Sequence, residues 1–143
     1  MKIRAANSDD MAAVVDMLRH MHEEAVDAPS WDEDSVTATV MECIGGGMCF
    51  LAMSGDKIAG TVGLGYGRSW WSTEVVLGDH WFYVRPEYRR SRAAWLLLRH
   101  VVDLADEKGM RMQMGASHSS RPQAVERLLR RFGFRTFATL MQR

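Results

Sequence analysis

The pattern of apolar and polar residues along the chain predicts a protein of alternating helices and strands. Apolar residues recur at helical spacing in four stretches, near residues 9–24, 30–44, 92–108 and 121–132. Runs that suit a pleated sheet lie at residues 2–5, 48–53, 58–66, 75–84, 111–116 and 134–141. The predicted order is β-α-α-β-β-β-α-β-α-β, which describes an α/β (α+β) fold with a mixed, mainly antiparallel sheet and about four flanking helices. No repeat or linker divides the sequence, so residues 1–143 are expected to form one domain.

The most informative stretch, residues 79–108, joins a predicted strand to a predicted helix through a basic turn. Aromatic and β-branched residues form the strand, and Pro86 ends it because proline cannot donate to a β-ladder. The turn contains Arg89, Arg90, Ser91 and Arg92. The first turn of a helix carries unpaired backbone N–H groups and a partial positive charge. Three arginines beside it favour an anion site, above all for phosphate; the alternative is a solvated basic turn between two core elements.

Charge is unevenly distributed, although the formal net charge is zero. Residues 1–78 carry 5 basic and 12 acidic side chains, whereas residues 79–143 carry 13 basic and 6 acidic ones. The basic second half suggests an anionic partner, either a phosphate-rich cofactor or a nucleic acid. The acidic first half would attract a cationic acceptor, or is simply a solvated surface.

Composition excludes several classes of protein. No apolar run approaches the roughly 20 residues that span a membrane. The start of the chain lacks the apolar region of a signal peptide, so a cytoplasmic protein is expected. Two cysteines, Cys43 and Cys49, are too few for a disulfide framework. Histidine and cysteine residues do not occur at zinc-binding spacing, and no metal site is expected.

The basic turn also carries a short sequence motif. Val84, Pro86, Arg89 and Ala94 fit the pattern V-x-P-x-x-R-x-x-x-x-A, which resembles the acetyl-coenzyme A motif of the GCN5-related N-acetyltransferase (GNAT) superfamily. The opening I-R-x-A-x-x-x-D, the closing R-x-x-x-x-F-G-F and the order of elements resemble the same family. Arg92 stands where the motif usually has a glycine, and this glycine-poor version resembles acetyltransferase-like proteins carried by phages and prophages.

The resemblance implies acetyl transfer from acetyl-coenzyme A to a primary amine. In this family the diphosphate of the cofactor binds at the turn and the pantetheine arm runs along the preceding strand. The cofactor-binding residues implied in this way are Phe82, Tyr83, Val84, Arg89, Arg90, Ser91, Arg92, Ala93, Ala94 and, in a later loop, Ser119. A free backbone N–H of the strand would stabilise the oxyanion that develops on the thioester carbonyl.

The candidate base is where the sequence departs most from the family. Relatives often have a glutamate four residues before the motif valine, and His80 occupies that position here. Alternation places His80 on the same strand face as Phe82 and Val84. A histidine can act as the base, directly or through water, because its pKa lies near neutrality; the alternative is a packed strand histidine. Glu74 and Asp79 are secondary candidates.

A second departure concerns the proton donor. Many relatives have a tyrosine four residues before the glycine of the closing motif, and it protonates the departing thiolate, whereas this chain has Leu129. A thiolate whose thiol has a pKa of about 8.5 leaves with little help. One alternative is therefore a GNAT-like module that binds coenzyme A with weak or no catalysis. The other is a nucleic-acid-binding domain that uses the arginines, which no known motif supports.

The acceptor is not specified by the sequence. Trp31, Trp70, Trp71 and the acidic early helices are suited to a small-molecule amine, a peptide N-terminus or a lysine. The apolar residues near Trp70 are compatible with a homodimer. Neither a membrane nor a nucleic acid is an expected partner.

Overall fold

The computed structural model describes residues 1–115 and 121–143. Its elements are β1 (Lys2–Ala5), α1 (Met11–Glu24), α2 (Glu33–Gly45), β2 (Cys49–Ser54), β3 (Lys57–Gly67), β4 (Val76–Val84), α3 (Ala93–Glu107), β5 (Met112–Gln113) and α4 (Pro122–Arg131). Short 3-10 turns, Ser8–Asp10 and Pro86–Tyr88, lie before α1 and between β4 and α3. The predicted fold class and the order of these elements are confirmed. Within the described ranges, no helix is both long and apolar enough to cross a membrane.

The strands of the described residues form one mixed sheet in the order β1-β2-β3-β4-β5. Strands β1 to β4 pair antiparallel with their neighbours, and β5 joins β4 in parallel. Among the described residues the β4–β5 ladder has two residue pairs, Leu77 with Met112 and Gly78 with Gln113. Beyond Gly78, β4 therefore pairs with β3 on one edge while its other edge has no strand beside it in the described part of the chain.

Helices cover both faces of this sheet. On the first face, called here the α1/α2 face, the buried residues include Val14, Leu18, Val40, Cys49 and Trp81. On the second, the α3/α4 face, they include Phe50, Leu64, Leu97, Val101 and Leu129. The sheet is thus the middle layer of three, with an apolar core on each side.

The start of α1 is fixed by a local network of charged hydrogen bonds. The carboxylate of Asp10 accepts bonds from both terminal nitrogens of Arg4, at 2.7 and 2.8 Å, and from the backbone N–H of Asn7 at 2.8 Å. The side chain of Asn7 in turn accepts from the backbone N–H of Asp9 at 2.9 Å. These contacts satisfy backbone donors at the helix start and tie β1 to α1.

The prediction of a closing strand over residues 134–141 is wrong. This segment has no regular secondary structure. Phe137, Leu140 and Met141 are 72%, 82% and 89% exposed. The apolar residues Phe134, Phe137 and Leu140 recur every third position, whereas a half-buried strand needs a spacing of two. A strand here would place apolar and polar side chains on the same face. β5 is also shorter than predicted within the described residues.

Candidate functional site

A cavity of about 360 Å³ lies where β4 ends and α3 begins. The residues of β4 and the following turn that line it are Phe82, Tyr83, Val84, Arg89 and Ser91. The helices contribute Met21 and Glu24 from α1, Ala94 and Trp95 from α3, and Ala124, Val125, Leu128 and Arg131 from α4, and Arg121 lies directly before α4. We call this space the β4–α3 cavity.

The cavity follows the edge of β4 that β5 leaves uncovered. Residues from both sides of the sheet reach it: Phe82 packs with the core of the α3/α4 face, whereas Tyr83 extends to Glu24 of α1. Its walls are apolar where Phe82, Val125 and Leu128 contribute. Its charged lining residues are three arginines, Arg89, Arg121 and Arg131, and one carboxylate, Glu24, so an elongated ligand with an anionic end fits its chemistry.

The turn before α3 leaves the helix start without a side-chain cap at Arg92. Ser91 sits close by, and its hydroxyl accepts a hydrogen bond from the backbone N–H of Ala93 at 3.2 Å. The backbone of Arg92 has φ −81° and ψ 2°, which any residue can adopt. The arginine in place of the motif glycine therefore causes no backbone strain, and its guanidinium lies 5.3 Å from the ring centroid of Trp95.

Three polar side chains form a cluster inside the cavity. Arg89 makes an ion pair with Oε2 of Glu24, and its Nε donates to the backbone carbonyl of Val84 at 3.2 Å. The hydroxyl of Tyr83 donates to Oε1 of Glu24 at 2.9 Å. Burial, and then the hydrogen bond to Glu24, raises the pKa of Tyr83 to about 12. Both oxygens of Glu24 are thus bonded by groups that line the cavity.

His80 lies at a β-bulge in β4. Leu64 of β3 pairs with Asp79 and the preceding Gly63 pairs with Trp81, so β4 has one extra residue at position 80. A bulge turns the following side chains to the other face. The indole of Trp81 covers Gly63 and the imidazole of His80 covers Gly65, which lies two residues further along β3.

The bulge places His80 on the same face as Trp81, the α1/α2 face, because Gly63 and Gly65 project to the same side of β3. The prediction that His80 shares a face with Phe82 and Val84 is therefore wrong. Simple alternation fails here because the ladder contains an extra residue. His80 is exposed, and its ring lies 6.4 Å from that of Trp81.

The structure brings six of the predicted cofactor-binding residues to the β4–α3 cavity: Phe82, Tyr83, Val84, Arg89, Ser91 and Ala94. Three others do not line it. Arg90 is exposed, Arg92 lies against Trp95, and Ala93 is buried in the core of the α3/α4 face. Ser119 lies outside the described residues.

The secondary candidates for the base have structural partners. Asp79 accepts a hydrogen bond from the backbone N–H of Gly115 at 3.0 Å, which fixes the chain after β5 against β4. Glu74 is exposed in the loop before β4 and forms an ion pair with Arg111 at 3.3 Å. Neither carboxylate lines the cavity.

Sequence reasoning missed the cavity residues that come from α1 and α4. Arg121 and Arg131 belong to the basic second half of the chain, so a charge signal for them existed, but no motif selected them. Glu24 gave no signal, because it lies 59 residues from Tyr83 and 65 from Arg89 in the sequence.

Comparison with known proteins shows to which protein family this chain belongs. Residues 13–134 match the profile of the Acetyltransferase (GNAT) family. Because this match covers most of the 143 residues, the chain belongs to the GNAT family. No curated protein matches the sequence significantly.

Solved structures show the same fold. A probable acetyltransferase superposes with a TM-score of 0.77 at 20% identity, covering 100% of this chain and 97% of that one. A predicted acetyltransferase from Clostridium acetobutylicum with acetyl-CoA gives 0.76 at 15% identity, covering 99% and 94%. AAC(6')-Iy in complex with the bisubstrate analog CoA-S-monomethyl-acetylneamine gives 0.76 at 16% identity, covering 99% and 95%. At these identities the likeness concerns the fold alone.

Proposed function

We propose that the protein is an acetyl-coenzyme A-dependent N-acetyltransferase that acetylates a primary amine. The observation that carries this proposal is the β4–α3 cavity, which joins the uncovered edge of β4 to the first turn of α3 within a GNAT fold. The structural neighbour with acetyl-CoA and the neighbour with a coenzyme A bisubstrate analog support the choice of cofactor.

The residues of the cavity fit the two halves of coenzyme A. Backbone amides of the first turn of α3, together with Arg89 of the preceding turn, Arg121 just before α4 and Arg131 of α4, are suited to the phosphates. Phe82 and Leu128 are suited to the less polar pantetheine arm, and backbone groups on the open edge of β4 can bond its amides. Bound there, acetyl-coenzyme A would supply an acetyl group activated as a thioester.

His80 is proposed as the base because it is an exposed histidine of β4 two residues before Phe82, where the part of the strand that lines the cavity begins, although His80 itself does not line the cavity. An amine with an ordinary pKa of about 10.4 must lose a proton before or during attack. His80 takes this proton, directly or through water, as the C–N bond forms and the C–S bond of the thioester breaks. A backbone N–H freed from the ladder at the bulge is proposed to donate to the thioester carbonyl.

The departing thiolate has no evident donor among the described residues of the cavity. Leu129, at the position of the family tyrosine, is apolar and buried. Tyr83 has a pKa of about 12 and its hydroxyl is bonded to Glu24, so it is a poor acid near neutrality. This observation favours a second candidate function, a coenzyme A-binding module with weak or no catalysis.

The acceptor proposed is a small-molecule amine. Structural neighbours include two aminoglycoside acetyltransferases, one of them in complex with sisomicin. The acidic surface of the first half of this chain is compatible with a cationic acceptor. Peptide N-termini and lysine side chains are the competing acceptors.

Thiol release from acetyl-coenzyme A with a panel of amines tests the proposal. The panel includes an aminoglycoside, a polyamine and a peptide with a free N-terminus. Amine-dependent release, reduced about 100-fold by His80→Gln, is the expected result. Release that no amine stimulates, combined with saturable coenzyme A binding, selects the second candidate instead. Absence of coenzyme A binding rejects both.

A further inference from the structure

We infer that Glu24 is a built-in competitor of the cofactor diphosphate for Arg89 and so limits how tightly coenzyme A is held. The inference rests on the proposed function, because it assumes that the β4–α3 cavity binds a nucleotide thioester. It concerns a residue of α1, far in sequence from the turn that binds the phosphates.

The geometry places a carboxylate within the proposed phosphate site. Glu24 lines the same cavity as Arg89, Ser91 and Ala94. Its Oε2 forms the ion pair with Arg89 and its Oε1 accepts the hydroxyl of Tyr83 at 2.9 Å. Each side chain of the ion pair is only 26% exposed, so solvent screens this pair less than one on the open surface.

The position of Glu24 in α1 is not one that helix stability favours. It is the last residue of the helix, where the partial charge of the macrodipole is negative and a cation is the stabilising choice. The carboxylate is instead held by Arg89 and Tyr83 across the cavity. A role toward the contents of the cavity explains this placement better than a role within α1.

The charge balance gives the direction of the effect. A diphosphate brings negative charge next to Arg89, whose own charge is already neutralised by Glu24. Binding must therefore weaken the ion pair or tolerate the carboxylate beside the phosphates. Either way Glu24 lowers the affinity for coenzyme A and favours release of the free thiol after transfer, when product release limits turnover.

The test is calorimetric titration of wild type and Glu24→Gln with coenzyme A, dephospho-coenzyme A and pantetheine. Glutamine keeps the shape of the side chain and an acceptor for the Tyr83 hydroxyl but removes the charge. Glu23→Gln is the matched control, because Glu23 is the exposed neighbour on the same helix and does not line the cavity. Thermal unfolding verifies that each variant is folded, and Glu24→Ala serves as a second carboxylate-free variant.

We expect Glu24→Gln and Glu24→Ala to bind coenzyme A and dephospho-coenzyme A about tenfold more tightly. Pantetheine, which lacks the diphosphate, should bind all variants equally, and Glu23→Gln should resemble wild type. In turnover, KM for acetyl-coenzyme A should fall without a rise in kcat. Unchanged or weaker coenzyme A binding by both Glu24 variants would overturn the inference alone. Wild type that binds no coenzyme A would overturn the proposed function as well.

Discussion

Gly65→Ala tests whether the bulge in β4 positions a catalytic histidine. A Cβ atom at position 65 would overlap Nε2 of His80 and lie 3.0 Å from its Cε1 and 3.2 Å from its Cδ2. These contacts are tighter than van der Waals distances allow, so the imidazole must move. Gly67 is the matched control, because it lies two residues further along the same strand and a Cβ there meets no atom within 4 Å.

The structure separates the effect on stability from the effect on chemistry. Because the displaced group is the exposed end of a side chain, the free energy of unfolding should change by at most about 1 kcal/mol. A shift of about 1 Å in a general base is costly for proton transfer. We therefore expect kcat/KM to fall roughly 10- to 100-fold in Gly65→Ala.

The assay is amine-dependent thiol release as a function of pH, with thermal unfolding in parallel. Gly67→Ala should retain wild-type kinetics, and Gly65→Ala should lose activity while remaining folded. In a His80→Ala background the Gly65→Ala change should cost nothing further, because the group that it displaces is gone. Full activity and an unchanged pH profile in Gly65→Ala would refute the assignment of His80 as the base.

Three further predictions concern stability. Asp10→Asn should lower the free energy of unfolding by about 2 kcal/mol at pH 7. The pKa of Asp10 is lowered, chiefly by its hydrogen bond from Arg4, so the stabilisation that Asp10 provides exists above about pH 4 and disappears as acid protonates the carboxylate. Chemical denaturation that shows the same pH dependence for wild type and Asp10→Asn would contradict this prediction. Gly63→Ala should destabilise the folded protein by about 1–3 kcal/mol, because the added Cβ would meet the buried indole of Trp81. The measurement is thermal unfolding, and an unchanged melting temperature would contradict this prediction. Burial lowers the pKa of His100, so the free energy of unfolding of the wild type should fall as the pH drops below about 6.5. His100→Phe should show a smaller fall, and an identical dependence of stability on pH in the two proteins would contradict this prediction.

Most of the secondary structure was accessible from local sequence. The helix predicted over residues 92–108 is α3, Ala93–Glu107, and the long strand predicted to end at Pro86 is β4, Val76–Val84. Both follow from patterns within one segment: helical spacing of apolar residues, a run of aromatic and β-branched types, and a proline that ends a strand. The closing strand failed because its composition suggested a strand while its spacing did not.

Those parts of the site that depend on contacts between residues distant in the sequence could not be predicted. The turn from Arg89 to Ala94 could be selected because its residues are contiguous and match a motif. The face to which His80 points could not be predicted in this way, because it depends on how β4 pairs with β3 around Gly63 and Leu64. Pairing register is a property of two strands, and one extra residue reverses the direction of every side chain that follows.

Two of the features that local patterns missed, the bulge at His80 and the carboxylate of Glu24, have a common physical character. The bulge interrupts the β3–β4 ladder, and Glu24 puts negative charge at the negative end of α1. Each departs from what stabilises its own element, and each borders the uncovered part of β4. Departures of this kind are expected to collect where a protein does chemistry. If Gly65→Ala changes the chemical step and Glu24→Gln changes only cofactor affinity, the two departures serve separate steps of one reaction along the same strand.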